Sequence, residues 1–339
     1  MFLGLLAGLT TGALWGLVFV APRMVAPFTA WDFTLVRYVL FGLVSVLLMS
    51  LPRFRPWSMS RRRLVMGFGL GGFGYVGYFL AAAWSVHYAG AVLPPLIIGS
   101  SPVVLAVIAN LRERAVGWGR LALPLALVAG GILAAHLGAA PLPPEAAPER
   151  WIGLAAATAA LVLWVLYGLV NAEVMRAGDA PDGLGWTGLQ GLGAGLGALL
   201  LIPLLGVPHP ELATPAEGQR FLFWTVTMAV VGGWFATWCW MVASARLPMA
   251  LTALLIVGET VFGLIYGLIY EQRLPTAPEA VGIVLQLAGV SAGVLLFAMR
   301  RPAGVPPAAA EGSARQVEVD QLARGEVVEP AGLLEGRQA

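Results

Sequence analysis

One apolar stretch constrains this chain more than any other. It runs from Ala91 to Glu113, AVLPPLIIGSSPVVLAVIANLRE, and returns in altered form from Met249 to Glu271 as MALTALLIVGETVFGLIYGLIYE. Each copy is long enough to cross a bilayer, is interrupted halfway by residues foreign to hydrocarbon, and ends in a carboxylate at the next loop. In the first copy the interruption is Ser100-Ser101-Pro102, where proline deletes the backbone bond to the carbonyl of Ile98. In the second, 158 residues on, it is Gly258-Glu259-Thr260. Breaks at matched places in two halves of a chain mark where a membrane protein can hold a polar ligand at mid-depth.

Composition closes off most other classes. With 59% apolar and 11% charged residues and a mean hydropathy of +0.82, the chain has too little charge to coat a water-soluble globule of 339 residues. A net charge of +2 and basic residues that are all Arg give no sign of a nucleic-acid partner. The single cysteine, Cys239, sits in an apolar run, so it reads as a small buried hydrophobe and no disulfide framework or Cys-based metal site is expected. His87, His136 and His209 are too scattered to hold a metal.

Ten apolar runs follow one another, near 2–21, 33–51, 64–84, 92–111, 120–138, 152–175, 186–206, 221–243, 249–270 and 280–298. Most approach the ~20 residues that cross ~30 Å of hydrocarbon. The expected fold is therefore all-α and integral to the membrane, with ten transmembrane helices joined by short loops. If the N-terminus is cytoplasmic, the inner loops and the end of the last helix hold twelve Arg and the outer loops only four (Arg23, Arg150, Arg220 and Arg273). That bias puts both termini in the cytoplasm. Trp31, Trp57, Trp118, Trp151, Trp186 and Trp224 fall at the ends of runs, where interfacial anchoring is the simplest reading. Residues 301–339, rich in Ala, Pro, Gly and acidic side chains without periodicity, read as a disordered cytoplasmic tail.

The halves echo each other. Trp15 in the first run matches Trp164 in the sixth, FTLVR at Phe33–Arg37 matches WTGLQ at Trp186–Gln190, and Gly130 matches Gly289. Five runs is an odd number, so residues 150–300 would sit inverted relative to residues 1–140, giving a 5+5 inverted repeat.

Several residues stand out against this frame. Glu259 is an acidic side chain well inside a span, where a carboxylate costs ~2.5–3.5 kcal/mol and must face a cavity or find a partner. It serves either as counter-charge or proton acceptor, or as a structural carboxylate bonded across the bundle. Arg37, a turn and a half into the second run, either snorkels to the outer interface or meets a carboxylate inside. Tyr75, Tyr78 and Phe79 form one stripe, and Trp234 and Trp238 another that Met241 continues. With Trp15 and Trp164 at mid-span, these rings suggest an aromatic box for an aromatic or cationic ligand, with Ser100, Ser101, Pro102 and Glu259 at the breaks. Gly289 and Gly293 have GxxxG spacing, explained by close helix packing and compatible with a homodimer contact.

The order ALWG at Ala13–Gly16, Arg37 in the second run, SSPVVLAVIANLRER with Glu113, and YEQRLPTAPEAVGIVLQLAGVSAGVLL with Glu271 resembles the drug/metabolite transporter superfamily, in its ten-helix branch with two EamA-type halves. The resemblance covers about residues 1–300. It implies a multi-pass protein of the bacterial inner membrane whose central cavity is lined chiefly by helices 1, 3, 4, 6, 8 and 9. It also implies a carrier, not an enzyme, that exports small metabolites by alternating access, most similar to the aromatic amino-acid exporters of that branch. Efflux of cationic or amphiphilic drugs is the alternative. No cofactor is expected, and proton coupling stays open. One departure concerns the ninth helix, where Glu259-Thr260 replaces the Glu-Pro usual in the second half. A channel would need a continuous polar stripe, and an intramembrane enzyme a base and nucleophile at one depth. The spans offer neither. Arg37 is the lone cation in a span, which disfavours polyanionic substrates.

Overall fold

The computed structural model describes residues 1–113, 116–138, 147–177, 181–205, 214–247 and 249–298. The tail, His209 and the side chain of Glu113 lie outside them. Every described element is a helix or a turn. Each of the ten apolar runs falls on helix, here labelled α1 (Phe2–Phe19), α2 (Ala30–Leu48), α3 (Arg61–Ala89), α4 (Leu93–Ile98), α5 (Ser101–Glu113), α6 (Trp118–Gly138), α7 (Ala147–Arg176), α8 (Gly183–Leu200), α9 (Pro215–Ser244), α10 (Met249–Tyr270) and α11 (Ala277–Ala298). Eight helical stretches are long and apolar enough to cross a membrane. Two shorter apolar stretches, Leu93–Leu105 and Leu255–Tyr270, accompany them. Their outward faces carry large apolar side chains such as Leu123, Leu166, Leu200, Phe223 and Val284, as a surface solvated by lipid tails requires.

The helix ends follow local chemistry. Thr29 caps α2 by accepting from the Asp32 N–H while Asp32 returns a bond to the Thr29 N–H, and Thr214 and Glu217 repeat that box at α9. Asp182 caps α8 through the N–H groups of Leu184 and Gly185. Asn110 accepts from the Val116 N–H at 2.7 Å and donates to the Val116 carbonyl at 2.9 Å, tying the end of α5 to the next loop.

The two interrupted runs behave differently. The first is broken into α4 and α5 as its proline dictates. Ser100 bridges the gap, its hydroxyl donating to the Ile97 carbonyl at 2.6 Å. The second corrects the sequence expectation, because α10 runs unbroken through Gly258-Glu259-Thr260. Thr260 keeps the N–H that a proline would lack, so the backbone ladder has no reason to open.

Helix α1 packs between α9 and α10, α7 against α3 and α4, α2 against α8, and α6 against α11. Lipid offers no hydrophobic drive between helices, so small residues that permit close approach decide these contacts. A Cβ on Gly42 of α2 would lie 3.0 Å from the Cα of Gly195 on α8, and one on Gly12 of α1 3.1 Å from the backbone of Gly258 on α10. Gly289 and Gly293 are filled from within the chain, by Leu127, Pro124 and Val128 and by Val103. Cys239 is buried beside Ala7, Ala243 and Leu247.

Two helices widen in the middle. Residues Gly71–Gly77 of α3 and Thr227–Phe235 of α9 form π-helical turns, and their last residues are separated by the same 158 positions as the breaks. A π-turn inserts about one residue per turn and rotates everything after it by ~100° relative to a straight α-helix.

Candidate functional site

The helices enclose a cavity of about 360 Å³. That falls at the small end of the roughly 300–1,000 Å³ typical of ligand sites. It runs from Arg37, Phe79 and Val18, all buried, to Met175, which is exposed, and Gly183, which is partly so. Of the expected residues, Trp15, Tyr75, Tyr78, Phe79, Trp164 and Glu259 line it. Ser101 and Pro102 line instead a void of only about 10 Å³ that touches Glu259, Thr260 and Trp164, far too small for a substrate. Ser100 lines neither, its hydroxyl being spent on the Ile97 carbonyl.

The stripe on α9 requires correction. Trp234 is buried against Phe41 (5.7 Å between ring centres) and Phe54 (5.9 Å), and Trp238 is 53% exposed on the outer surface beside Phe235. The face α9 presents to the cavity is Met228, Gly232, Gly233, Thr237, Trp240 and Met241. A straight helix carrying Met228 and Gly232 would continue through residues 235 and 239. The π-turn moves that face on by about one residue.

Arg37 also departs from the snorkelling expectation. Its guanidinium lies 4.0 Å from the ring centre of Phe79 and 4.9 Å from that of Tyr38, Nη1 has no hydrogen-bond partner, and the residue is only 9% exposed. Phe79 supplies a negative π face inside the bundle, and the side chain turns inward to it. Trp31 and Trp186 are likewise buried within the bundle.

The second and seventh runs, which are not among the chief lining helices that the resemblance implies, both contribute to the cavity wall through Arg37, Tyr38 and Phe41 and through Trp186, Thr187 and Gln190. Arg37 and Gln190 occupy matched places in FTLVR and WTGLQ. Two polar residues at corresponding depths were the signal that could have found these helices. Gln190 anchors a neutral network. Its Oε1 accepts from Tyr75 (2.7 Å) and Tyr167 (3.0 Å), its Nε2 donates to Asn171 Oδ1 (3.1 Å), and that same oxygen accepts from Trp186 Nε1 (2.7 Å). The bonds hold Tyr167 stacked on Trp164, with ring centres 5.2 Å apart and planes 17° apart. Across the cavity Trp15 and Trp240 meet at 5.7 Å, and the Tyr78 hydroxyl lies beside the Glu259 carboxyl. Glu259 and Arg37 are the two charged side chains among the described lining residues.

Beyond Phe79 the bundle is shut. Phe33 packs on Phe79 (5.7 Å), and Phe28 stacks on Phe221 (4.1 Å). Above these rings Glu271 receives Arg23 Nη1 (2.7 Å) and Arg273 Nε (2.8 Å), while Arg273 also donates to both oxygens of Glu279 (2.6 and 3.0 Å). The bond to Glu279, then that to Glu271, push the pKa of Arg273 above its ordinary value, so its charge is constant. Arg23 covers the Tyr270 ring at 4.7 Å, and Arg220 donates to the Ala26 carbonyl. Among the described residues no group of three or more His, Cys, Asp or Glu could hold a metal.

The chain is 31% identical over 304 residues to the inner membrane protein YtfF of Escherichia coli strain K12, a match covering 86% of this chain and 94% of YtfF. The chain belongs to the YtfF family. It is accordingly a multi-pass protein of the inner membrane. A solved crystal structure at 20% identity superposes with a TM-score of 0.54, covering 88% of this chain and 99% of that one, and shares the fold of this YtfF-family chain. No family model matches it.

Proposed function

We propose that this YtfF-family protein is a carrier that exports small metabolites by alternating access, with amino acids of aromatic character as its favoured cargo. The observation that carries the reading is the cavity itself. Its aromatic walls hold one cation and one carboxylate among the described residues, and it is shut at one end and open at the other. A closed end and an open end on one cavity describe one state of a carrier; a channel would need both ends continuous with water.

The drug/metabolite transporter architecture follows as part of the same proposal, with ten spans in two inverted EamA-type halves, residues 1–140 and 150–300, and both termini cytoplasmic. The packing supports it. An inverted repeat exchanges the contact of α1 with α9 for that of α7 with α3 and maps the pairs α2–α8 and α6–α11 onto themselves, and all of these pairs occur. On that orientation the Arg23–Glu271 end faces outward and the open end faces the cytoplasm, the loading state of an exporter. A specific observation also favours efflux of hydrophobic cations as a second reading, because Glu259 sits among rings that attract positive charge.

The test is flux in liposomes containing the purified protein, with a panel of aromatic amino acids and hydrophobic cations, with and without a pH gradient. Selective movement of tryptophan and phenylalanine supports the amino-acid reading, and movement of cations alone supports the second. Glu259→Gln should abolish or alter transport while expression and monodispersity persist. Full wild-type flux in that variant would remove Glu259 from the mechanism, and a panel that does not move at all would end the carrier reading.

A further inference from the structure

We infer that Arg37 is a carboxylate receptor, the residue by which the cavity selects ligands carrying a carboxylate over otherwise identical cations. The inference rests on the carrier reading for the passage of the ligand but not for its binding.

Arg37 is held in place without being satisfied. Two ring faces, Phe79 at 4.0 Å and Tyr38 at 4.9 Å, fix the plane of the guanidinium but accept none of its N–H bonds in the way an oxygen would. Among the described residues no carboxylate forms an ion pair with it within 4 Å, and its buried Nη1 has no hydrogen-bond partner. The amide pair on the same wall is already engaged. Gln190 and Asn171 are bonded to Tyr75, Tyr167 and Trp186, and the Glu259 carboxyl lies beside Tyr78. A buried cation left this way is costly, and a planar acceptor that takes two parallel N–H bonds relieves the cost.

The chemistry of the acceptor follows from the surroundings. A polyanion would bring charge that a single guanidinium cannot balance and that Glu259 on the same wall would repel. A monocarboxylate balances it. Arg37 and Glu259 both neighbour Tyr78, so a ligand with a carboxylate near one and an ammonium near the other leaves the site neutral. The aromatic walls take an apolar or aromatic side chain.

The experiment measures binding in detergent as the ligand-dependent rise in melting temperature, with L-phenylalanine and L-phenylalanine amide as probes. The amide keeps the ring and the ammonium and removes only the carboxylate charge. Wild type should be half-maximally stabilised by phenylalanine at a concentration roughly tenfold or more below that needed for the amide, the scale of a hydrogen bond to a charged group. In Arg37→Gln the two should agree within about threefold, and in Arg37→Lys, which keeps charge but not the planar fork, the preference should be intermediate. Equal response of wild type to both probes, no response to either, or an Arg37→Gln protein that keeps the wild-type preference would each overturn the inference, and the first two need no variant to fold. Flux separates this from the carrier reading. If phenylalanine binds through Arg37 yet never crosses, the carrier falls and the receptor stands; if aromatic substrates cross and Arg37→Gln leaves their selection unchanged, the receptor alone falls.

Discussion

At one end of the central cavity, four ionised side chains and a stack of phenyl rings close the bundle; at the other, two tyrosines, an amide pair and an indole line an opening. The closed end is tied by Arg23, Glu271, Arg273 and Glu279; Glu279 is buried and held by Arg273 six residues away, whereas the pair that joins distant parts of the chain, Arg23–Glu271, keeps 20% and 16% of its side-chain surface exposed. Ion pairs within reach of water are individually weak, since solvent stabilises the separated charges almost as well. The open end is tied by neutral bonds, with Tyr75 and Tyr167 donating to Gln190 Oε1, and Gln190 Nε2 and Trp186 Nε1 donating to Asn171 Oδ1, all part-buried, where breaking one costs up to about 1–3 kcal/mol if water does not replace the lost partner. The contrast assigns mechanical roles. On the proposed carrier reading, the ionic end is the one that opens and recloses, and the neutral network is a wall that keeps its shape.

The largest expected difference between the ends is in access. With the buried native cysteine replaced by alanine, Thr237→Cys in the cavity wall should react with a maleimide roughly tenfold or more faster than Val25→Cys beneath the ionic end, because Val25 is reached only by local opening. Equal rates would erase the distinction. A smaller effect should follow from Glu271→Gln, which takes the carboxylate away from Arg23 and Arg273 together. Only the Arg23 pair joins distant parts of the chain, and it contributes about 0.2–1 kcal/mol after screening. Opening of that end should therefore become up to about fivefold more favourable, read as faster labelling of Val25→Cys. The Thr237→Cys rate should move the other way or stay constant, since in an alternating-access cycle the two ends do not open together. A parallel rise at both would mean that the variant loosens the whole bundle.

What could be read from the residues, and what could not, divides along the same physical line. The ten apolar runs, the break before Pro102 and the cavity positions of Trp15, Tyr78, Trp164 and Glu259 were legible because hydrocarbon makes polar or amphipathic groups at mid-depth expensive, so each must have a reason to be there. Arg37 was legible in depth but not in direction. Its choice between the interface and the interior turns on Phe79, a residue of another helix 42 positions away whose nearness no pattern in α2 encodes. The supposed break at Gly258-Glu259-Thr260 was over-read, since glycine and a polar residue weaken a helix without removing a donor. The inward face of α9 was misassigned because a heptad-like count assumes 3.6 residues per turn, and nothing in TMAVVGGWF announces the wider turn.

That last error supplies the smallest and sharpest test. Extending the Trp234 stripe by one ordinary turn puts Trp238 on the cavity face, whereas the structure puts Trp238 on the outer surface and brings Trp240 inward to meet Trp15. If that placement is right, Trp238→Leu exchanges one lipid-facing apolar side chain for another and should change phenylalanine flux by less than about twofold, the range of an ordinary surface substitution. Trp240→Leu removes a ring from an aromatic pair worth about 0.5–1.5 kcal/mol, so a several-fold loss is expected at the same expression level. The two tryptophans lie two positions apart on one helix and carry the same side chain, so composition, bulk and membrane depth nearly cancel between the variants. What remains is the ~200° that separates their faces. A larger effect at Trp238 would mean that α9 turns the Trp234 stripe and not Trp240 toward the ligand, and the wall built on Thr237, Trp240 and Met241 would have to be redrawn.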